Sequence, residues 1–205
     1  MEPRNLNIFE KRKGIYISPE NIIAVCLTTL VLIIAYLKES LHFVFNGWEN
    51  ILWIFWCLYI VGLLISTFFR YEREIGHYKG KLIFWEDRLQ LNENNYNLSE
   101  IAKLNFIHAY DIKGMFLNHL VEFKPRLSNG LKNELILTFK NGKTIKCNFL
   151  QTESERLKYF KEVLTHYHRE GIIDWFQLLN LLDIQDYHKI QEFKNEMAKV
   201  DNTSS

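Results

Sequence analysis

Two long runs of apolar residues, separated by a short polar stretch, constrain this chain more than any other feature. Residues 22–37 read IIAVCLTTLVLIIAYL without a charge. They follow Ser18-Pro19-Glu20, a helix start with proline just inside the first turn. Leu41, Phe43, Val44 and Phe45 extend the run past Lys38 and Glu39, and a second run, Ile51 to Phe69, stops at Arg70. A hydrocarbon layer of ~30 Å needs about 20 helical residues to cross. A cleaved signal would need small residues after the first run, and Tyr36-Leu37-Lys38-Glu39 offers none. An interfacial helix would need a polar face, which neither run has. The sequence therefore predicts a transmembrane hairpin over residues 20–70, with spans at about 21–40 and 49–69.

Orientation follows from the basic residues near the span ends. Arg4, Lys11, Arg12 and Lys13 precede the first span, and Arg70, Arg73, Lys79 and Lys81 follow the second. The connecting loop carries only Lys38. Both termini are expected in the cytoplasm, residues 1–19 forming a cytoplasmic N-terminal segment. Trp48, Trp53 and Trp56 mark one interface, and Phe68, Phe69 and Tyr71 the other. Ala24 with Thr28, and Gly62 with Ser66, supply small residues for packing of the two helices. Neither span core holds an ionisable residue, so the hairpin reads as an anchor rather than a pore or proton path.

Whole-chain averages conceal this division. The 205 residues are 48% hydrophobic with a mean hydropathy of -0.14, yet residues 70–205 have an ordinary soluble mixture. A net charge of +1 argues against a nucleic-acid binder that works by bulk phosphate neutralisation. Cys26, Cys57 and Cys147 have neither disulfide nor zinc spacing and read as small buried hydrophobes.

After Gly76 the pattern changes to short strands and turns. Lys81 to Trp85 reads as a strand, Glu86-Asp87 as a turn and Arg88 to Leu91 as the return. Asn92 to Asn95 turns into Tyr96-Asn97-Leu98, and Leu104, Phe106, His108 and Tyr110 alternate with their neighbours as in a further strand. Pro125 to Asn133 reads as a loop. The clearest local signal is a hairpin from Leu135 to Phe149 around Asn141-Gly142. A two-residue loop would put Leu135, Leu137 and Phe139 on one face with Lys146 and Asn148, wasting the apolar pattern. A three-residue loop, Lys140 to Gly142 with Gly142 left-handed, faces Leu137 to Ile145 and Leu135 to Cys147, and is the predicted turn. Thr152 and Glu155 then form a capping box, Leu157, Phe160, Leu164 and Tyr167 an apolar stripe, and Gly171 a stop.

A strand-rich region ending in one amphipathic helix resembles the bacterial pleckstrin-homology-like (PH-like) domains, which sit beside transmembrane helices in membrane proteins of unassigned function. The resemblance spans about residues 76–170 and is carried by GKLIFWEDRLQL, YNLSEI with LNFIHAYDIKG, and ELILTFKNGKTIKCNF. It implies a bent antiparallel sheet closed by the last helix, and a bacterial inner-membrane location. Eukaryotic relatives bind phosphoinositides through basic residues at the first hairpin. Here that turn is Glu86-Asp87 with only Lys81 and Arg88 nearby, so no phosphoinositide site is expected. The overall class is α+β: a transmembrane hairpin, an antiparallel PH-like sheet domain capped by a helix, and extra C-terminal helices.

Those extra helices occupy residues 171–200, before a frayed tail at 201–205. Residues 172–184 are very apolar, with polar residues at every third position, so no full polar face forms on a helix. Packing onto the domain's own surface is the plain reading. The functional reading makes Ile172, Ile173, Trp175, Phe176, Leu179 and Leu182 a docking face for a protein partner, a second copy or the membrane surface. A second helix from about Asp186 to Lys199 presents Tyr187, Ile190, Phe193 and Met197. Lys11, Arg12 and Lys13 are candidate contacts for anionic lipid, beside their role in setting topology.

No phosphate loop, paired carboxylate motif or nucleophile elbow is present, so no catalytic residue, metal or cofactor is assigned. His166 and His168 are two apart on a helix and diverge. Alone, His108 names no base. Two functions are expected to compete. One is a membrane-anchored binding or scaffolding module. The other is an accessory subunit whose spans pack into a larger complex for transport, secretion or envelope assembly.

Overall fold

The computed structural model describes residues 3–12, 14, 18–42, 47–117 and 124–203, the last four of these by their backbone. The chain forms two compact units. One comprises Met1–Arg12, Arg73–Met115 and Ser128–Ser205, and the other Lys13–Glu72 and Phe116–Leu127.

The first unit holds a seven-stranded antiparallel sheet in the order β4-β3-β2-β1-β7-β6-β5. Its strands are β1 (Arg4–Lys11), β2 (Gly76–Phe84), β3 (Arg88–Leu91), β4 (Asn94–Asn97), β5 (Ile101–Ile107), β6 (Asn133–Phe139) and β7 (Thr144–Phe149). The middle strand is β1, to which the sequence reading had given no element. Leu6 and Ile8 point into the main core while Phe9, on the opposite face of the pleat, packs with Leu131 and Leu150. Lys11 pairs with Gly76, and the Arg12 N–H donates to Ile75 O at 3.0 Å. The chain thus leaves the sheet and returns to it side by side, with the two apolar helices inserted between.

The β6–β7 hairpin takes the register that the apolar pattern predicts. Leu135 faces Cys147, Leu137 faces Ile145, and Gly142 turns at φ 84°. By contrast, β5 ends at Ile107 rather than continuing to Tyr110, because His108 turns left-handed at φ 53°.

Across the sheet lies α3 (Lys161–Arg169), preceded by a 3-10 turn over Leu157–Phe160. Leu157, Phe160, Leu164 and Tyr167 are all buried, as the stripe requires. The helix begins later than the capping box implies. Thr152 Oγ1 does accept from Glu155 N at 3.2 Å, but Gln151 Oε1 captures the Leu157 N–H at 2.9 Å and delays regular winding. The Tyr167 hydroxyl donates to Trp85 O at 2.7 Å and lies 3.0 Å from Arg88 O, pinning the helix to the β2–β3 turn.

Two more helices follow, α4 (Trp175–Leu181) and α5 (Tyr187–Thr203). Asp174 caps α4 by accepting from Gln177 N at 2.8 Å. Phe193 on α5 is buried and stacks on Trp175 with ring centres 5.7 Å apart.

Burial pushes the Cys147 thiol up to about 12 and raises the Tyr167 phenol, with Glu134 and Asp87 adding smaller effects of the same sign. Both groups are neutral when folded, so their contribution is complete below the ordinary thiol and phenol values. It is lost as pH climbs from those values toward the folded ones. Thermal melts at rising alkaline pH are expected to show falling stability, with the fall reduced in Tyr167→Phe. A Tyr167→Phe protein with an unchanged alkaline slope would remove the phenol from this account.

In the second unit, α1 (Pro19–Ser40) and α2 (Trp48–Thr67) are each long and apolar enough to cross a membrane, and only 6% and 11% of their most apolar windows are buried. Among the described residues four polar links join them, one of them from the Tyr59 hydroxyl, which donates to Glu20 O at 3.1 Å. Arg70 pairs with Glu20 at 2.9 Å at one end, and Lys38 with Glu49 at 2.9 Å at the other. Between these, the Trp56 indole donates to Thr28 Oγ1 at 3.0 Å. Trp56 thus joins the two helices directly. A side chain at Gly62 would meet nothing within 4 Å, so the close approach expected there does not occur.

Candidate functional site

The residues expected to dock a partner are mostly spent inside the protein. Ile172, Ile173, Leu179 and Leu182 belong to the main core, and Trp175 is half-buried against it. Phe176 alone of the six is exposed, at 77%. Lys11 and Arg12 are exposed at the end of β1, while Lys13 lies outside the described residues.

The outer edge of β5 is closed by the same segment. Ile172 O accepts from Leu104 N at 2.9 Å. The Gln177 amide, oriented so that both its atoms are satisfied, donates to Leu104 O at 2.7 Å and accepts the Phe106 N–H at 2.8 Å. A side-chain amide thus takes the place of a neighbouring strand's peptide group, which blunts an edge that would otherwise recruit another chain. The other edge, β4, is four residues long and mainly polar.

What remains is a cleft of about 580 Å³ where β5, the β7–α3 connector and α4 meet. Phe106 and Leu181 form its apolar part, and Gln177, Asn180 and Gln185 a wall of amides. Tyr110 and Phe176 both line it and are 66% and 77% exposed. Arg156 also lines it, bound to Glu153 at 3.2 Å and 3.9 Å from Asp183. Its charge is largely neutralised where it stands. His108 Nδ1 lies 3.1 Å from the Tyr110 hydroxyl. His108 and Asp183 both hold left-handed backbone, at φ 53° and 58°. Such conformations are tolerated best by Asn, Asp and His, and they gather where a loop is held for a purpose.

A buried polar network holds these loops. Asn133, fully buried at the start of β6, accepts from Asp111 N and Gln151 Nε2, both at 3.0 Å. Its amide nitrogen donates to Asp111 O and Gly130 O, both at 2.8 Å. The Asp111 carboxylate accepts from the Ser128 hydroxyl and from Lys132 N at 2.9 Å. Gln151 Nε2 also reaches Ala109 O at 2.7 Å. Gly130, at φ 75°, fits here because a Cβ would come within 2.5 Å of Gln151 O. Every heteroatom named is satisfied, so the network fixes the cleft's floor.

Sequence reading singled out His108 but missed Tyr110, Arg156 and the amide wall, which come from three distant segments. His168 is half-buried with Nδ1 2.7 Å from Ile173 O. Among the described residues, no group of three His, Cys, Asp or Glu side chains could hold a metal ion. Chemically, the cleft offers exposed aromatic rings beside amide donors and acceptors with little net charge, an arrangement suited to holding a ligand. Compared with protein-family models, with curated proteins and with solved structures, the chain matches none of them.

Proposed function

We propose that this protein is a membrane-anchored cytoplasmic binding or scaffolding module of PH-like fold, in the inner membrane of a bacterium with both termini in the cytoplasm. The PH-like reading is supported by seven antiparallel strands followed in the chain by a helix packed on the core. Anchoring is supported by two apolar helices left almost wholly unburied by the rest of the chain. The pairing of β1 and β2 in one sheet supports a hairpin that begins and ends on the same side of the membrane, in keeping with the basic residues at both ends.

The observation that carries the binding role is the rim of the cleft. Phe176 stays exposed although Trp175 and Gln177 beside it are half-buried and Leu178 and Leu179 are buried, and Tyr110 joins it at the same cleft. Exposed aromatic rings in a partly apolar hollow are the usual anchors of protein recognition. The partner is therefore a protein segment, and a photo-crosslinking residue at position 176 is expected to trap it as a discrete adduct. The same residue at Tyr187, equally exposed on α5, is expected to trap none. Phe176→Ala should weaken the captured complex by about 2 kcal/mol, or about thirty-fold, without altering the melting temperature. No discrete adduct from position 176 would count against the cleft as a protein site.

A second reading, an accessory subunit of a larger membrane complex, is favoured by an apolar groove of about 450 Å³ along the hairpin, lined by Leu27, Leu30, Ile51 and Phe55. Exchanging the hairpin for an unrelated anchor separates the two. Retained binding supports the module, and lost assembly supports the subunit.

A further inference from the structure

The connector between β5 and β6 stays with the sheet at both its ends but not in its middle. Its described residues 116–117 and 124–127 group with the unit of the two apolar helices, and the backbone shows how. Arg126 N donates to Thr67 O at 2.8 Å, and Leu127 N to Arg70 O at 3.1 Å. Glu72 N donates in turn to Leu127 O at 2.7 Å, and Leu117 N to Arg126 O at 2.7 Å. The last carbonyls of a helix have no partner within it. Here the connector supplies one to Thr67, the final residue of α2, so the two segments share one depth.

That depth is the end of the apolar run. The Arg126 guanidinium stacks over the Phe68 ring at 3.9 Å and lies 5.9 Å from the Phe116 ring, while Phe68 and Phe116 stack at 6.1 Å. Around this pair, Phe69 is 77% exposed, Phe116 53% and Tyr71 51%. In water such a cluster would be an unfavourable apolar patch. At a membrane interface, aromatic rings and a snorkelling arginine are the preferred residues.

We propose that the β5–β6 connector is a second membrane contact, an interfacial foot that seats Phe116, Phe69 and Tyr71 among the lipid headgroups. The occupant of the patch is the bilayer itself, because the patch is continuous with the end of the span and bonded to it. The proposal rests on the anchored reading above.

The test uses the full chain with Cys26→Ala and Cys57→Ala, reconstituted in vesicles of phosphatidylcholine with a minority of phosphatidylglycerol. An environment-sensitive fluorophore is attached at Phe116→Cys, with separate samples at Leu117→Cys, Ile54→Cys and Tyr110→Cys. Spin-labelled lipids are expected to quench the probes at 54, 116 and 117 but not at 110, while aqueous iodide quenches only 110. Lipid quenching at 54 with iodide quenching at 116 and 117 would overturn the foot and leave the anchor standing. Shielding of 116 from both quenchers would mean that protein covers the patch, which also overturns it. A probe at 54 that lipid does not quench would remove the anchored reading and the foot with it.

Discussion

Ending the chain at Glu170 is expected to leave the sheet domain unfolded. The truncation removes Ile172, Ile173, Leu178, Leu179, Leu181, Leu182 and Phe193, all buried in the main core. Each such side chain contributes about 1.5–3 kcal/mol by burial, and a domain's whole stability is about 5–15 kcal/mol. The loss therefore exceeds what the domain has in reserve. The cut also uncovers the β5 edge that Ile172 and Gln177 occupy, so aggregation is expected as well. Cys147 gives a direct readout, since it is buried in the folded protein. In a background without Cys26 and Cys57, a thiol reagent should modify Cys147 promptly in the truncated chain and slowly in the full chain. Point changes sharpen the contrast. Leu179→Ala should cost about 2–4 kcal/mol, while Phe176→Ala, three residues away, should stay within about 0.5 kcal/mol. A truncated chain with Cys147 still protected would show that the extension lies outside the core.

Asn133→Leu is expected to be among the most destabilising single substitutions in the sheet domain. The change conserves volume but removes four buried hydrogen bonds, those with Asp111 N, Gln151 Nε2 and the carbonyls of Asp111 and Gly130, although Asp111 N, Gln151 Nε2 and Gly130 O each keep one other partner, His108 O, Ala109 O and Gln151 N. Each lost buried hydrogen bond costs about 1 kcal/mol, so a total of about 4 kcal/mol is expected. Asn148 offers an internal comparison. It makes one partly buried bond, to Asn133 O at 3.0 Å, so Asn148→Leu should cost only about 1 kcal/mol. Thermal melts of the detergent-solubilised proteins, followed by near-ultraviolet dichroism, would measure both. Equal effects would mean that the network is not what holds the cleft loops.

Local signals were legible in the sequence, and long-range ones were not. The Asn141-Gly142 turn and the alternation beside it are decided within fifteen residues, and they give the β6–β7 register correctly. Asn133 carries no such signal, because its partners lie at Asp111 and Gln151 and nothing in its neighbours marks it as buried. The segment after Gly171 shows a subtler effect. Its polar residues recur every third position, which makes no sense on one long helix. In the structure Asp174 is the cap of α4 and Asp183 sits in the left-handed turn after it, leaving only Gln177 and Asn180 on the helix itself. The periodicity was real, but the helix was only seven residues long. The strand β1 escaped notice because its partners, Leu82 and Phe149, lie far along the chain beyond two apolar helices. Basic residues at both its ends read naturally as topology signals.

That strand also sets an order of events during synthesis. It emerges from the ribosome before either apolar helix, whereas β2 and β7, which flank it in the sheet, follow both. In the anchored arrangement proposed above, Leu6, Ile8 and Phe9 must wait uncovered near the bilayer until the hairpin has inserted and the last strand has been made. Growing chains ordinarily fold from their N-terminal end forward. In that arrangement a strand made before the helices finds both its neighbours only after them, so insertion of the helices would precede completion of the sheet.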